Sequence, residues 1–167
     1  MAFGTLASVN LENHGMRVSA KVDYALRALA ELAASPPGPV KAERLATAQE
    51  IPLKFLENIL LELRRAEIVA SQRGAEGGYR LAKPPEEVSL AEVIRAVEGP
   101  IATVRGARPE DTTYIGSATG LRDVWIELRS SMRAVLEETS LADLVARSFL
   151  AQDAESAEAD PASRKDP

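Results

Sequence analysis

A glycine-rich run at residues 71–81, with the sequence SQRGAEGGYRL, constrains the fold of this chain most strongly. It predicts two short extended segments joined by a tight tip, because its three glycines tolerate the positive φ angles that such tips need. Arg73 lies just before the tip and Arg80 follows it. The run therefore predicts a β-hairpin that carries positive charge.

An amphipathic helix is predicted to begin after Ser19, whose hydroxyl can cap its first turn. Apolar residues recur at helical spacing over residues 22–33. Charged side chains, Arg27 among them, occupy the opposite face and are expected to meet water. The run SPPGP at residues 35–39 ends the helix, because proline cannot continue its hydrogen-bond ladder.

Two more helices, separated by a tight break, are predicted between this helix and the hairpin. The second covers roughly residues 41–48, and Ile51 and Pro52 form the break before the third. The third helix buries Leu56, Ile59, Leu60 and Leu63, and it displays Lys54, Glu57, Asn58, Arg64 and Arg65. Helix, break, helix and basic hairpin together are typical of a winged helix-turn-helix, which binds double-stranded DNA.

The displayed groups suit DNA chemistry. Glu57 can accept a hydrogen bond from cytosine, Lys54 can reach guanine or phosphate, and Asn58 can pair with adenine. Arg64 and Arg65, at the helix end, suit backbone phosphates or packing. The hairpin can carry Arg73 and Arg80 to the adjacent minor groove. The alternative is a solvated helix face beside an ordinary surface hairpin.

The overall net charge of −5 conceals an uneven distribution. Residues 17–84 carry 11 Lys and Arg against 8 Asp and Glu, whereas residues 85–167 carry 9 against 16. The basic excess therefore coincides with the predicted DNA-binding segment, where phosphate contacts need it.

The second half of the chain predicts helices with one long irregular connection. Ser89 and Glu92 form a capping box before a helix from Leu90 to about Glu98, and residues 99–118 are predicted to be a loop. A long helix follows, with a heptad pattern formed by Leu121, Trp125, Leu128, Met132 and Val135. Such an apolar seam indicates dimerisation, since helix-turn-helix proteins commonly bind two half-sites as symmetric dimers.

The predicted fold class is mainly α with a small β-hairpin, a winged helix-turn-helix plus a long dimerisation helix. The expected divisions are a mobile N-terminal extension (1–15), the DNA-binding domain (16–98), the loop (99–118), the dimerisation helix with a short final helix (119–150) and a disordered acidic tail (151–167).

Five segments resemble the Rrf2 (BadM-type) family of bacterial winged-helix regulators. They are YALRAL at 24–29, IPLKFLE at 51–57, RGAEGGYRL at 73–81, LRDVW at 121–125 and SLADL at 140–144. The resemblance implies a homodimer on a palindromic operator, with Glu57 and Arg73 helping to read bases and Lys54 at the same surface.

Many members of this family hold an iron–sulfur cluster through three cysteines in the region matching residues 99–118. This chain has no cysteine, so a cysteine-ligated cluster is excluded and no cofactor or metal is predicted. Either the protein binds DNA constitutively or another signal acts on the loop. Arg105, Arg108 and Tyr114, with Glu110 and Asp111, are a candidate ligand site there, and a plain charged connector is the alternative.

An enzyme is not expected, since the chain lacks cysteine and its single histidine, His14, lies near the terminus. The competing hypothesis is a protein-interaction module, or a regulator that needs a partner protein or small ligand. No bilayer-spanning run or signal-peptide pattern is present, so a cytoplasmic protein is expected. The operator, the target genes and the effector are not specified by the sequence.

Overall fold

A computed structural model describes residues 18–159, with side chains through residue 153. The helices are α1 (Ala20–Ala34), α2 (Ala42–Ala48), α3 (Leu53–Arg65), α4 (Leu90–Val97), α5 (Leu121–Glu138) and α6 (Leu141–Ala159). The strands are β1 (Val69–Gln72) and β2 (Gly78–Leu81), and short 3-10 turns occur at Pro85–Glu87, Pro109–Asp111 and Gly116–Ala118. The expected extension at residues 1–15 lies outside the described residues.

Helix α1 lies at the centre of the core and packs against α2, α3, α4 and α6. The Ser19 hydroxyl accepts a hydrogen bond from the Val22 amide at 3.2 Å, which confirms the predicted cap. On α3 the predicted core residues, Leu56, Ile59, Leu60 and Leu63, are all buried. On α1 the predicted Val22, Ala25 and Leu29 are buried, whereas Leu26 and Ala33 are half-buried and two residues that were not predicted, Ala28 and Leu32, are buried. Periodicity therefore located the inner face of the third helix fully and that of the first in part.

The β-hairpin forms with β1 and β2 antiparallel, pairing Val69 with Leu81 and Gln72 with Gly78. A third segment joins it, because Val40 exchanges two 2.8 Å backbone hydrogen bonds with Tyr79. This bridge ties the hairpin to the connection between α1 and α2. It was not predicted from the sequence.

The capping box before α4 forms only in part. The Ser89 hydroxyl accepts from the Glu92 amide at 3.2 Å, as predicted. The Glu92 carboxylate, however, binds the Lys83 ammonium at 2.7 Å, and this hydrogen bond raises the pKa of Lys83. Glu92 thus connects α4 to the end of the hairpin.

The final helix differs from the short one expected. It continues through Ala159, because residues 151–159 are mostly Ala, Glu and Gln, which favour helix, and the next proline is Pro161. Ser140 and Asp143 cap its start, with the Ser140 amide donating to Asp143 at 2.9 Å and lowering the pKa of that carboxyl. The predicted acidic tail is therefore helical to residue 159, and residues 160–167 lie outside the described part.

Among residues 18–159, none of the helices combines the length and the apolar character that crossing a lipid bilayer requires.

Candidate nucleic-acid interface

The outer face of α3 presents the predicted polar residues. Lys54, Glu57 and Asn58 follow one another at spacings of three and one, which places them opposite the buried face. The Lys54 side chain is 96% exposed, and its ammonium lies 3.4 Å from the Glu57 carboxylate. An exposed ion pair of this kind contributes little to stability. Lys54 and Glu57 can therefore separate and each bind a ligand with little loss of free energy.

The turn between α2 and α3 fixes the direction of this face. The Ile51 amide donates to the Ala46 carbonyl at 2.9 Å, and Glu50 adopts a positive φ of 51°. Tyr24 packs edge-on against Phe55, with ring centroids 5.7 Å apart. These contacts attach the start of α3 to α1.

Arg27 contributes to the same turn, contrary to the expectation that it faces water. Its guanidinium donates to the backbone carbonyl and the side-chain oxygen of Gln49, and it lies 3.2 Å from Asp23. It also sits 5.5 Å from the centre of the Tyr24 ring. Periodicity missed this role because it assigns a face to a residue and carries no information on a partner 22 positions away.

Replacing Arg27 with alanine should lower the free energy of unfolding by about 1 kcal/mol, since it removes hydrogen bonds at a half-buried turn. Urea denaturation followed by circular dichroism measures the change. Arg44→Ala is the matched control, because Arg44 is exposed on α2. Equal changes in the free energy of unfolding for the two substitutions would show that the contact between Arg27 and Gln49 does not stabilise this turn.

The hairpin tip places Arg73 in solvent. Residues 73–77 connect the strands, and the Gly77 amide donates to the Gly74 carbonyl at 3.0 Å. Gly78 has a φ of +153°, and a Cβ there would lie 2.5 Å from the Val40 carbonyl oxygen. Glycine at position 78 is therefore required for the hairpin to pair with the Val40 segment.

The remaining predicted arginines occupy two places. Arg64 donates to the Ser71 hydroxyl at 3.3 Å and so joins the end of α3 to β1, while Arg65 is exposed. Arg80 is exposed on β2, where it donates to the Leu81 carbonyl at 3.3 Å. The structure thus places Lys54, Glu57 and Asn58 on the helix and Arg73 and Arg80 on the hairpin.

Helix α5 packs against α4 and the Pro109–Asp111 turn, and none of its side chains is fully buried. In the predicted seam, Trp125, Leu128 and Met132 are half-buried, whereas Leu121 and Val135 are exposed. Val124, which the heptad pattern did not include, is 53% exposed. Leu121, Val124 and Val135 form what we call the α5 apolar face.

The candidate ligand residues of the loop do not form one site. Arg105 stacks on the Tyr114 ring at 5.6 Å, and Tyr114 lines a shallow cleft with Glu110 and Asp111. Arg108 instead lines a different cavity, between α4 and α5.

The helices, the hairpin and its Val40 bridge define a winged helix-turn-helix protein. The model of the Rrf2 family, described as an iron-dependent transcriptional regulator, matches residues 18–147. The chain belongs to this family of DNA-binding transcriptional regulators, which are not enzymes.

Individual relatives agree with the family match. Rv1287 of Mycobacterium tuberculosis, whose name describes it as an HTH-type transcriptional regulator, is 52% identical to this chain over 130 residues. The match covers 77% of this chain and 81% of Rv1287. The structure of CymR, the global cysteine regulator of B. subtilis, matches with 32% identity and a TM-score of 0.68, covering 78% of this chain and 97% of CymR. T. potens IscR matches with the same identity and TM-score, covering 83% and 92%.

The residues of this chain do not fit the iron that the family description mentions. The chain has no cysteine, and residues 18–153 contain no cluster of three or more His, Asp or Glu side chains suited to a metal ion. The cavity beside the 99–118 loop is lined by arginines, which are cations and poor metal ligands. The function proposed for this protein therefore includes no iron centre.

Proposed function

We propose that this protein is a sequence-specific transcriptional repressor that binds a palindromic operator as a homodimer and acts in the cytoplasm, where bacterial DNA lies. It is supported most strongly by Lys54, Glu57 and Asn58 on the outer face of α3, where Lys54 and Asn58 are exposed and Glu57 is half-buried, beside a hairpin that holds Arg73 in solvent.

Helix α3 is suited to the major groove because its exposed face offers both donors and acceptors. The Glu57 carboxylate can accept from cytosine N4, and the Asn58 amide can form two hydrogen bonds with adenine. Lys54 can reach guanine or phosphate once it leaves Glu57, 3.4 Å away. Arg65, near the end of the helix, is suited to backbone phosphate.

The hairpin is suited to the neighbouring minor groove. The glycines at its tip bring the backbone close to a surface, and Arg73 supplies the guanidinium that narrow, negative grooves attract. Since Val40 and Arg64 both bind the hairpin, its orientation relative to α3 is held by contacts on two sides.

Homodimerisation is supported by the α5 apolar face. Leu121, Val124 and Val135 are 40%, 53% and 63% exposed, although they lie on one side of an 18-residue helix. A twofold pairing of α5 with its copy would bury them and would place two α3 helices on two half-sites of a palindrome.

Replacing Arg73 with alanine should weaken operator binding by about 1–3 kcal/mol and reduce discrimination at the bases that the hairpin touches. Fluorescence anisotropy with an operator duplex, selected from genomic DNA by the unmodified protein, measures both effects. Arg147→Ala, on α6, is the control for lost positive charge. Affinity and discrimination that stay unchanged in the Arg73 variant would remove the hairpin from DNA recognition.

A further inference from the structure

Four arginine side chains converge on one cavity where α4, the 99–118 loop and α5 meet. Arg95 comes from α4, Arg108 from the loop, and Arg129 and Arg133 from α5. The cavity has a volume of about 470 Å³, which is within the range of small-molecule sites. Residues 99–101 complete the lining of the cavity.

Two carboxylates offset part of this positive charge. One Arg129 nitrogen donates to both oxygens of Glu110, at 2.7 and 2.5 Å. Glu137 accepts from Arg95 and from Arg133, each at 3.0 Å, and these hydrogen bonds hold the pKa of Glu137 below its usual value. The four arginines and two glutamates together leave an excess of two positive charges.

Two of the guanidinium groups also retain unused donors. The Arg129 Nε is buried and has no hydrogen-bond partner among the described residues. The Arg108 side chain is exposed at the cavity. It makes no hydrogen bond or ion pair with any residue that the structure describes. The Arg129 Nε is too deeply buried to meet a ligand in the cavity, whereas the exposed Arg108 guanidinium is free to donate to an acceptor that enters it.

We propose that this cavity binds a small dianion with carboxylate or phosphate oxygens. Two negative charges match the excess of two positive charges, and the planar guanidinium fork matches both kinds of oxyanion. The site draws on three separate parts of the chain, and α4, which carries Arg95, also packs against α3. The ligand would therefore lie one helix away from the DNA-facing helix.

Thermal unfolding of the full chain with sodium phosphate or malonate, against sodium chloride at equal ionic strength, tests this proposal. At least one dianion should raise Tm in a saturable way that chloride does not reproduce. Arg108→Gln and Arg133→Gln should each raise the half-saturating concentration about tenfold or more. Arg147→Gln, which removes a positive charge outside the cavity, should leave it unchanged.

A response to phosphate alone would support a phosphate-bearing ligand, and a response to malonate alone would support a dicarboxylate. A saturable response to neither dianion would overturn the proposal. So would a response that Arg147→Gln weakens as much as Arg108→Gln does, because the effect would then be general charge screening.

Discussion

Replacing both Val124 and Val135 with glutamate should convert the proposed dimer into a monomer and weaken binding to a two-half-site operator by about 100-fold or more. Both side chains belong to the α5 apolar face and are more than half exposed in the single chain. Glutamate at these positions should therefore be tolerated in the monomer. Between two copies of α5 it would place like charges against each other in a region without water, which opposes association.

Light scattering coupled to size exclusion measures the mass, and anisotropy with full and half operators measures the affinity. Ser130→Glu with Ala134→Glu is the matched control, because it adds the same charges at exposed positions of α5 outside the apolar face. The control should remain dimeric. A dimer that persists in the Val124 and Val135 variant would place the interface elsewhere on the molecule.

Trp125 is a weaker choice for this experiment. Its side chain is half-buried within its own chain, so a charged replacement would disturb folding together with assembly.

Replacing Leu141 with alanine should lower the free energy of unfolding by about 2–5 kcal/mol. Leu141 is fully buried in the core, at the start of a helix that packs against α1. Its amide donates to the Val88 carbonyl at 2.9 Å, and the Leu90 amide donates to Thr139 at the same distance. A cavity at this position would therefore loosen the junction between α4 and α6.

Urea denaturation at one fixed protein concentration measures this change, because the proposed dimerisation would contribute to apparent stability. Leu150→Ala removes the same atoms from the same helix at a position that is 70% exposed, and it should cost about 0.5 kcal/mol or less. A Leu141 effect no larger than the Leu150 effect would mean that α6 is not docked in the core.

The DNA-binding half of the fold was predictable because its signals are local. Ser19 and Ser89 cap helices within three residues of themselves, and the α3 core follows directly from its spacing. The hairpin followed from its glycines. The Val40 bridge and the Arg27 contact with Gln49 were missed because they join segments 39 and 22 residues apart, where periodicity carries no information.

The candidate nucleic-acid interface was predictable where its residues are close in sequence, whereas the arginine cavity was not. Lys54, Glu57 and Asn58 share a helix face, so the sequence alone assigns them to one surface. The loop arginines were grouped by their closeness in sequence, yet the structure separates Arg105 from Arg108. The arginines that join Arg108 come from α4 and α5, and only tertiary packing brings them together.

An unbiased selection of genomic DNA fragments with the purified full chain tests most directly whether this protein is a specific DNA-binding regulator. We expect recovery of a palindromic motif whose half-sites are about one helical turn apart, bound without added iron. Recovery of no motif above background, in a sample shown to be folded, would contradict a specific DNA-binding regulator that acts alone. The α5 apolar face would then be better interpreted as a surface for another protein.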